Sequence, residues 1–139
     1  MTGVQTCVLP ISHYQELKEK NAIVLNYDSM ADTRISIFTS DRNNTLKLDY
    51  PTAQLVQKAA VDLNINHVLG PFPMFGGGTD SLPFGENGIK TVGLYAMKLP
   101  QQMCAWYHQP GDNISVVNKE ALSISAQLGL HWLVKYFKP

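Results

Sequence analysis

The sequence predicts an α/β domain, and three observations carry that prediction. Two short apolar runs dense in strand formers, Ala22–Tyr27 and Ile89–Met97, are bounded by turn residues and are too short for ordinary helices. Two longer segments, Thr52 to about Asn64 and Asn118 to the end, repeat their apolar residues at helical spacing. Between them, Gly76–Asp112 sets a glycine-loosened loop carrying Asp80 ahead of one apolar strand. A second loop carrying Tyr107, His108 and Asp112 follows it. Loops of this kind on either side of a buried strand form a site at the rim of an α/β sheet.

Composition narrows the options. The chain has 139 residues, which suits one domain, and 45% of them are hydrophobic, enough for a packed core. Eleven basic and eleven acidic side chains balance and are spread along the chain, which argues against nucleic acid or an acidic membrane surface as partner. No apolar run approaches the roughly 18 residues that span a bilayer. Cys7 and Cys104 have no metal-binding spacing.

Taken in order, residues 1–12, MTGVQTCVLPIS, have neither the charged start and apolar stretch of a signal peptide nor the period of a core element. GVQTCVLPIS resembles the translation of a sequencing adapter. It is set aside as a non-native tail, with the natural chain expected to extend upstream of His13. His13–Asn21 carries Tyr14 and Leu17 among charges and predicts the last turns of a surface helix. The strand Ala22–Tyr27 follows and ends on Asp28. That carboxylate is either aimed at a ligand or simply turns the chain before Ser29.

Arg34–Thr39 alternates polar and apolar, which predicts a half-exposed strand, and Ser40–Asn44 is turn chemistry. Asp49-Tyr50-Pro51-Thr52 opens a helix whose inner face is Leu55, Val56, Ala59, Ala60 and Leu63. His67–Phe75 contains Gly70, Pro71 and Pro73, and predicts an extended, irregular segment rather than a central strand. Gly76-Gly77-Gly78 lacks the Gly-Lys-Ser/Thr of a phosphate loop. Asp80 either caps the short helical turn Leu82–Asn87 or holds a site residue. His108 lies in an irregular loop beside Tyr107, as a site histidine or as a surface one. Asn118 caps the final helix, whose expected core face is Ala121, Leu122, Ser125, Leu128, Gly129, Trp132, Leu133 and Tyr136; His131 is expected in solvent.

Three segments, AIVLNYDSMA, GTDSLPFGENGIKTVGLY and WYHQPGDNISVVNKEAL, resemble in order and spacing the carboxyl-terminal half of the di-zinc aminopeptidases, peptidase family M28. The resemblance covers residues 13–139. It implies a truncated three-layer α/β/α sandwich with a mixed sheet, lacking its leading half. It implies that the intact parent is a zinc-dependent exopeptidase, an aminopeptidase that hydrolyses amino-terminal peptide bonds with a di-zinc-activated water. By match, Asp28 takes the place of a strand-end aspartate ligand and His108 that of a late histidine ligand, one for each of two zinc ions. Both are ligand types that zinc accepts at about 2.0–2.2 Å.

The resemblance places Tyr107 and Asp112 beside that histidine, with Asp112 as support, and Asp80 near the substrate pocket. The family's Ser-Asp-His reads Thr79-Asp80-Ser81 here, so its histidine is a serine. The family's His-x-Asp and Glu-Glu ligands have no counterpart in this sequence, so the fragment itself is expected to be inactive. The other reading is a non-catalytic binding or structural ectodomain of the same fold, of the transferrin-receptor type.

Overall fold

A computed structural model describes residues 13–72, 78–98, 105 and 109–137. Helix α1, Tyr14–Glu19, buries no residue; it is braced by Lys20–Glu16 and Gln15–Glu19 pairs along its surface. It ends where Asn21 adopts φ +50°. Strand β1, Ile23–Asp28, then enters the sheet, followed by β2, Ile35–Asp41, and the short β3, Leu46–Lys47. Helix α2 spans Tyr50–Asp62, β4 His67–Pro71, α3 Leu82–Glu86 and β5 Lys90–Tyr95. A 3-10 turn at Ile114–Val116 leads into α4, Lys119–Lys135.

The five strands form one mixed sheet. β1 runs parallel to β5, β5 antiparallel to β2, and β2 parallel to β4, while β3 folds back on the end of β2. Residues 91–95 of β5 are all buried, because both faces of that strand are covered. One face packs Ile35, Ile37, Val92, Leu94 and Ala96 against Ala53, Val56, Ala59 and Ala60 of α2 and Leu128 and Trp132 of α4. The opposite face gathers Phe38, Leu48, Phe72, Tyr95 and Met97, with α3 alongside. Phe84 of α3 meets Tyr14 of α1 edge-on at 5.8 Å.

Capping follows the sequence. Asp49 accepts a hydrogen bond from Thr52 N at the start of α2, with Pro51 in its first turn. Asn118 accepts from Glu120 N and Ala121 N at the start of α4. Four expectations are corrected. β2 is mostly buried rather than half exposed, since small serines and threonines alternate with its large residues and both faces are covered. His67–Pro71 is a parallel strand rather than an irregular segment, though as expected not a central one; it pairs with β2 alone, with a register shift before Pro71, its last residue. On α4 the buried stripe is Ala121, Ser125, Leu128 and Trp132, whereas Leu122 and Leu133 are 47% and 49% exposed. His131 is partly buried and paired.

That pairing joins α2 to α4. Tyr136 Oη, Lys135 Nζ and His131 Nε2 all reach Oδ2 of Asp62, at 2.6, 2.8 and 3.1 Å. Hydrogen bonds from Lys135, then Tyr136 and His131, hold the Asp62 carboxyl well below the usual carboxylate range. A depressed folded-state pKa gives stability that is present above the unfolded value, about 4, and is lost as pH falls through the folded one. Asp62→Asn is therefore expected to lower the melting temperature at pH 7, with the gap from the parent narrowing as pH falls below about 4. Thermal melts of both proteins across that range check this.

Candidate functional site

β1 and β5 are parallel and in register, so Asp28 sits level with Tyr95 at their carboxyl ends. The turn that follows is held from two sides. Ala31 N and Asp32 N both donate to Ala96 O at 2.7 Å, and Asn118 N, which also opens α4, donates to Met30 O at 2.9 Å. Ser29 itself takes φ +52°, a left-handed conformation that serine seldom adopts. Its hydroxyl donates to Asp28 Oδ1 at 2.8 Å, so the carboxylate does make a local turn contact. Burial raises the Asp28 pKa; the Ser29 hydroxyl opposes that, and the charges of Asp80 and Asp41 add to it.

Asp41 was read from the sequence only as part of a turn, yet it is fully buried at the end of β2. Its carboxylate accepts from Thr79 Oγ1 at 2.7 Å, from Thr79 N at 3.1 and 3.3 Å, and from Arg42 N at 2.7 Å. Thr79 Oγ1 in turn accepts from Ser81 N at 3.2 Å. A buried acid thus ties down the loop that presents Asp80. Asp80 is exposed and does not cap α3: Ser81 holds the N-cap position and makes no side-chain cap bond. Ser81 is buried over Gly93, where an added Cβ would stand 2.9 Å from the Phe38 ring and 3.1 Å from Ser81 Oγ. Only glycine allows the loop to come this close to β5.

The same face of the sheet carries a cavity of about 760 Å³. Phe38, Tyr95 and Met97 line it, with Asp32, Arg34 and Lys98 among its polar residues. Asp112 is exposed in the turn that precedes the 3-10 segment. Tyr107 and His108 lie outside the described residues. Among the described residues, no three His, Cys, Asp or Glu side chains converge to hold a metal ion. None of the described helices is long and apolar enough to cross a membrane.

Residues 7–133 match the family model described as Peptidase family M28. No curated protein matches the chain. Among solved structures, the chain is similar to the LapA aminopeptidase of Legionella pneumophila, with 15% identity and a TM-score of 0.60. The match covers 90% of this chain and 33% of that one. At that identity the likeness is one of fold, and the chain spans about a third of the aminopeptidase's length.

Asp41→Ala is expected to cost about 3 kcal/mol, because it strands a backbone N–H and a hydroxyl in the interior. Thr79→Val keeps the backbone bond to Asp41 but loses both bonds of the hydroxyl, including the one from Ser81 N, and should cost about 2 kcal/mol. Urea denaturation of both variants measures the difference; similar costs for the two would contradict the assigned role.

Proposed function

Because the chain belongs to peptidase family M28, we propose that residues 13–139 are the carboxyl-terminal portion of a zinc-dependent exopeptidase; of the tail read as non-native, residues 1–12, the part from Cys7 onward falls within the family match. The intact parent, on this reading, is an aminopeptidase that removes residues from the amino-terminal ends of peptides. The observation that carries it is Asp28, a desolvated carboxylate at the carboxyl rim of a parallel strand pair, with further negative charge nearby. Such a group favours a cation partner. The matched fold of an aminopeptidase, of which this chain covers 33%, supports the reading of a portion.

Zinc takes about four ligands, three of them from the protein at a catalytic site. The described residues supply Asp28 and no converging set of three, so they do not by themselves fit the ion. No chemical step is assigned to the metal here. We assign Asp28 and His108 as ligands to different ions of a pair in the whole protein. Asp80, Tyr107 and Asp112 serve as supporting or pocket residues. The chain on its own neither binds zinc tightly nor cleaves peptides.

Calorimetric titration of the full chain with zinc near neutral pH tests this. Weak binding that disappears in Asp28→Asn is expected, with no release of chromophore from an aminoacyl anilide. A tight one-to-one site on a monodisperse monomer, indifferent to that substitution, would overturn it.

A further inference from the structure

We propose that the free edge of β1 and the flank of α4 beside it form one twofold interface, through which the chain pairs with a second copy of itself. The inference goes beyond the peptidase reading and does not depend on it.

The strand supplies one half. Among the described residues β1 pairs with β5 alone, so its other edge offers main-chain N–H and C=O groups outside any ladder. Free edges are ordinarily blunted by proline, lysine or a bulge. β4, the other outer strand, has such a device, a register shift followed by Pro71. β1 has none: its sequence is Ile-Val-Leu-Asn-Tyr-Asp and its register with β5 is unbroken.

The helix supplies the other half. Asn118 N donates to Met30 O at 2.9 Å, just past the carboxyl end of β1. A Cβ built on Gly129 would stand 2.0 Å from Tyr27 Oη, so α4 runs back along β1 with its Gly129 flank toward that strand. Leu122, Ala126 and Leu133 share this flank by helical spacing, and Leu130 widens it. Leu122, Leu130 and Leu133 are 47%, 62% and 49% exposed. His131 and Lys135 lie on the opposite side, bonded to Asp62 of α2. An apolar flank of this length beside an open strand marks a contact surface.

The same surface turned about a twofold axis fits it. Measured from the Met30–Asn118 bond, the middle of β1 lies about 15 Å along the strand. The midpoint between Leu122 and Leu133 lies about 14 Å along the helix. One axis perpendicular to the sheet therefore passes both centres. It sets the two β1 strands antiparallel and keeps Ile23, Leu25 and Tyr27 of each copy on the helix side. Leu122 of one copy meets Leu133 of the other. The two Asp28 carboxylates fall at opposite ends, and Lys119 of each copy falls beside the carboxyl end of the other α4, where a cation is favoured.

Sedimentation equilibrium of the full chain over a wide concentration range tests this. The expected result is a reversible equilibrium between monomer and dimer, with twice the chain mass as its upper limit. Leu122→Glu combined with Leu133→Glu, both at exposed positions, should raise the dissociation constant at least about a hundredfold, because four carboxylates then meet on one seam. Hydrogen exchange reads the strand half. The alternate β1 amides that point away from β5 should slow as the chain is concentrated, and the double variant should lose that effect. A chain that is monomeric at every concentration overturns the proposal. So does growth beyond the dimer, a dimer that survives the double substitution, or exchange along β1 that ignores concentration. If the double variant does not fold, Leu130→Glu takes its place under the same criteria.

Discussion

The arrangement depends on covering both faces of a single strand. Residues 91–95 of β5 are all buried, and each face of the strand commits its neighbours to a different task. Val92 and Leu94 require the hydrocarbon of α2 and α4, which makes those helices a supporting layer. Thr91, Gly93 and Tyr95 look the other way, toward Phe38, Ser81 and the cavity. Burial of apolar surface drives the first association. Burial of Phe38, Phe72, Tyr95 and Met97 contributes to the second as well, and the bonds from Thr79 to Asp41 fix the loop beside it.

Parallel pairing with β1 sets a carboxylate at the rim of that strand. It brings Asp28 level with Tyr95, and the Ala96 carbonyl then receives two backbone N–H groups from the turn beyond Asp28. The turn is fixed by main-chain bonds from β5 and from the cap of α4, and the Ser29 hydroxyl holds the carboxylate itself. Asp41 does the equivalent for the Thr79–Ser81 loop from below. Two loops distant in sequence are thereby anchored independently to one sheet, as befits a site carried by loops on a rigid scaffold. Membership of a peptidase family and the aminopeptidase-like fold agree with this construction.

The elements were legible wherever one periodicity ruled. α2, α4, β1 and β5 and the caps Asp49 and Asn118 follow from spacing and capping chemistry, and the ending of β1 on Asp28 was visible too. What misled was context. The prolines of residues 67–75 argued against a strand, but an outermost strand can end on Pro71 where the ladder needs no further donor. The polar alternation of β2 suggested exposure, but small hydroxyl residues pack in a covered sheet. Of the broad apolar face expected on α4, only Ala121, Ser125, Leu128 and Trp132 are buried. Asp41 was missed because SDRNN looks like an ordinary turn. Its partner Thr79 is 38 residues away, and a long-range hydrogen bond leaves no local signal. His131 was misplaced for a similar reason, its partner Asp62 lying 69 residues away on another helix.

Gly93 has an implication for how variation at this locus should be read. The position carries no side chain and performs no chemistry, yet its missing carbon is the clearance between a buried aromatic ring and the Ser81 hydroxyl. In a saturation survey of substitutions, it would score beside the acids it helps to place. Intolerance there would record a spacing requirement, not a reacting group.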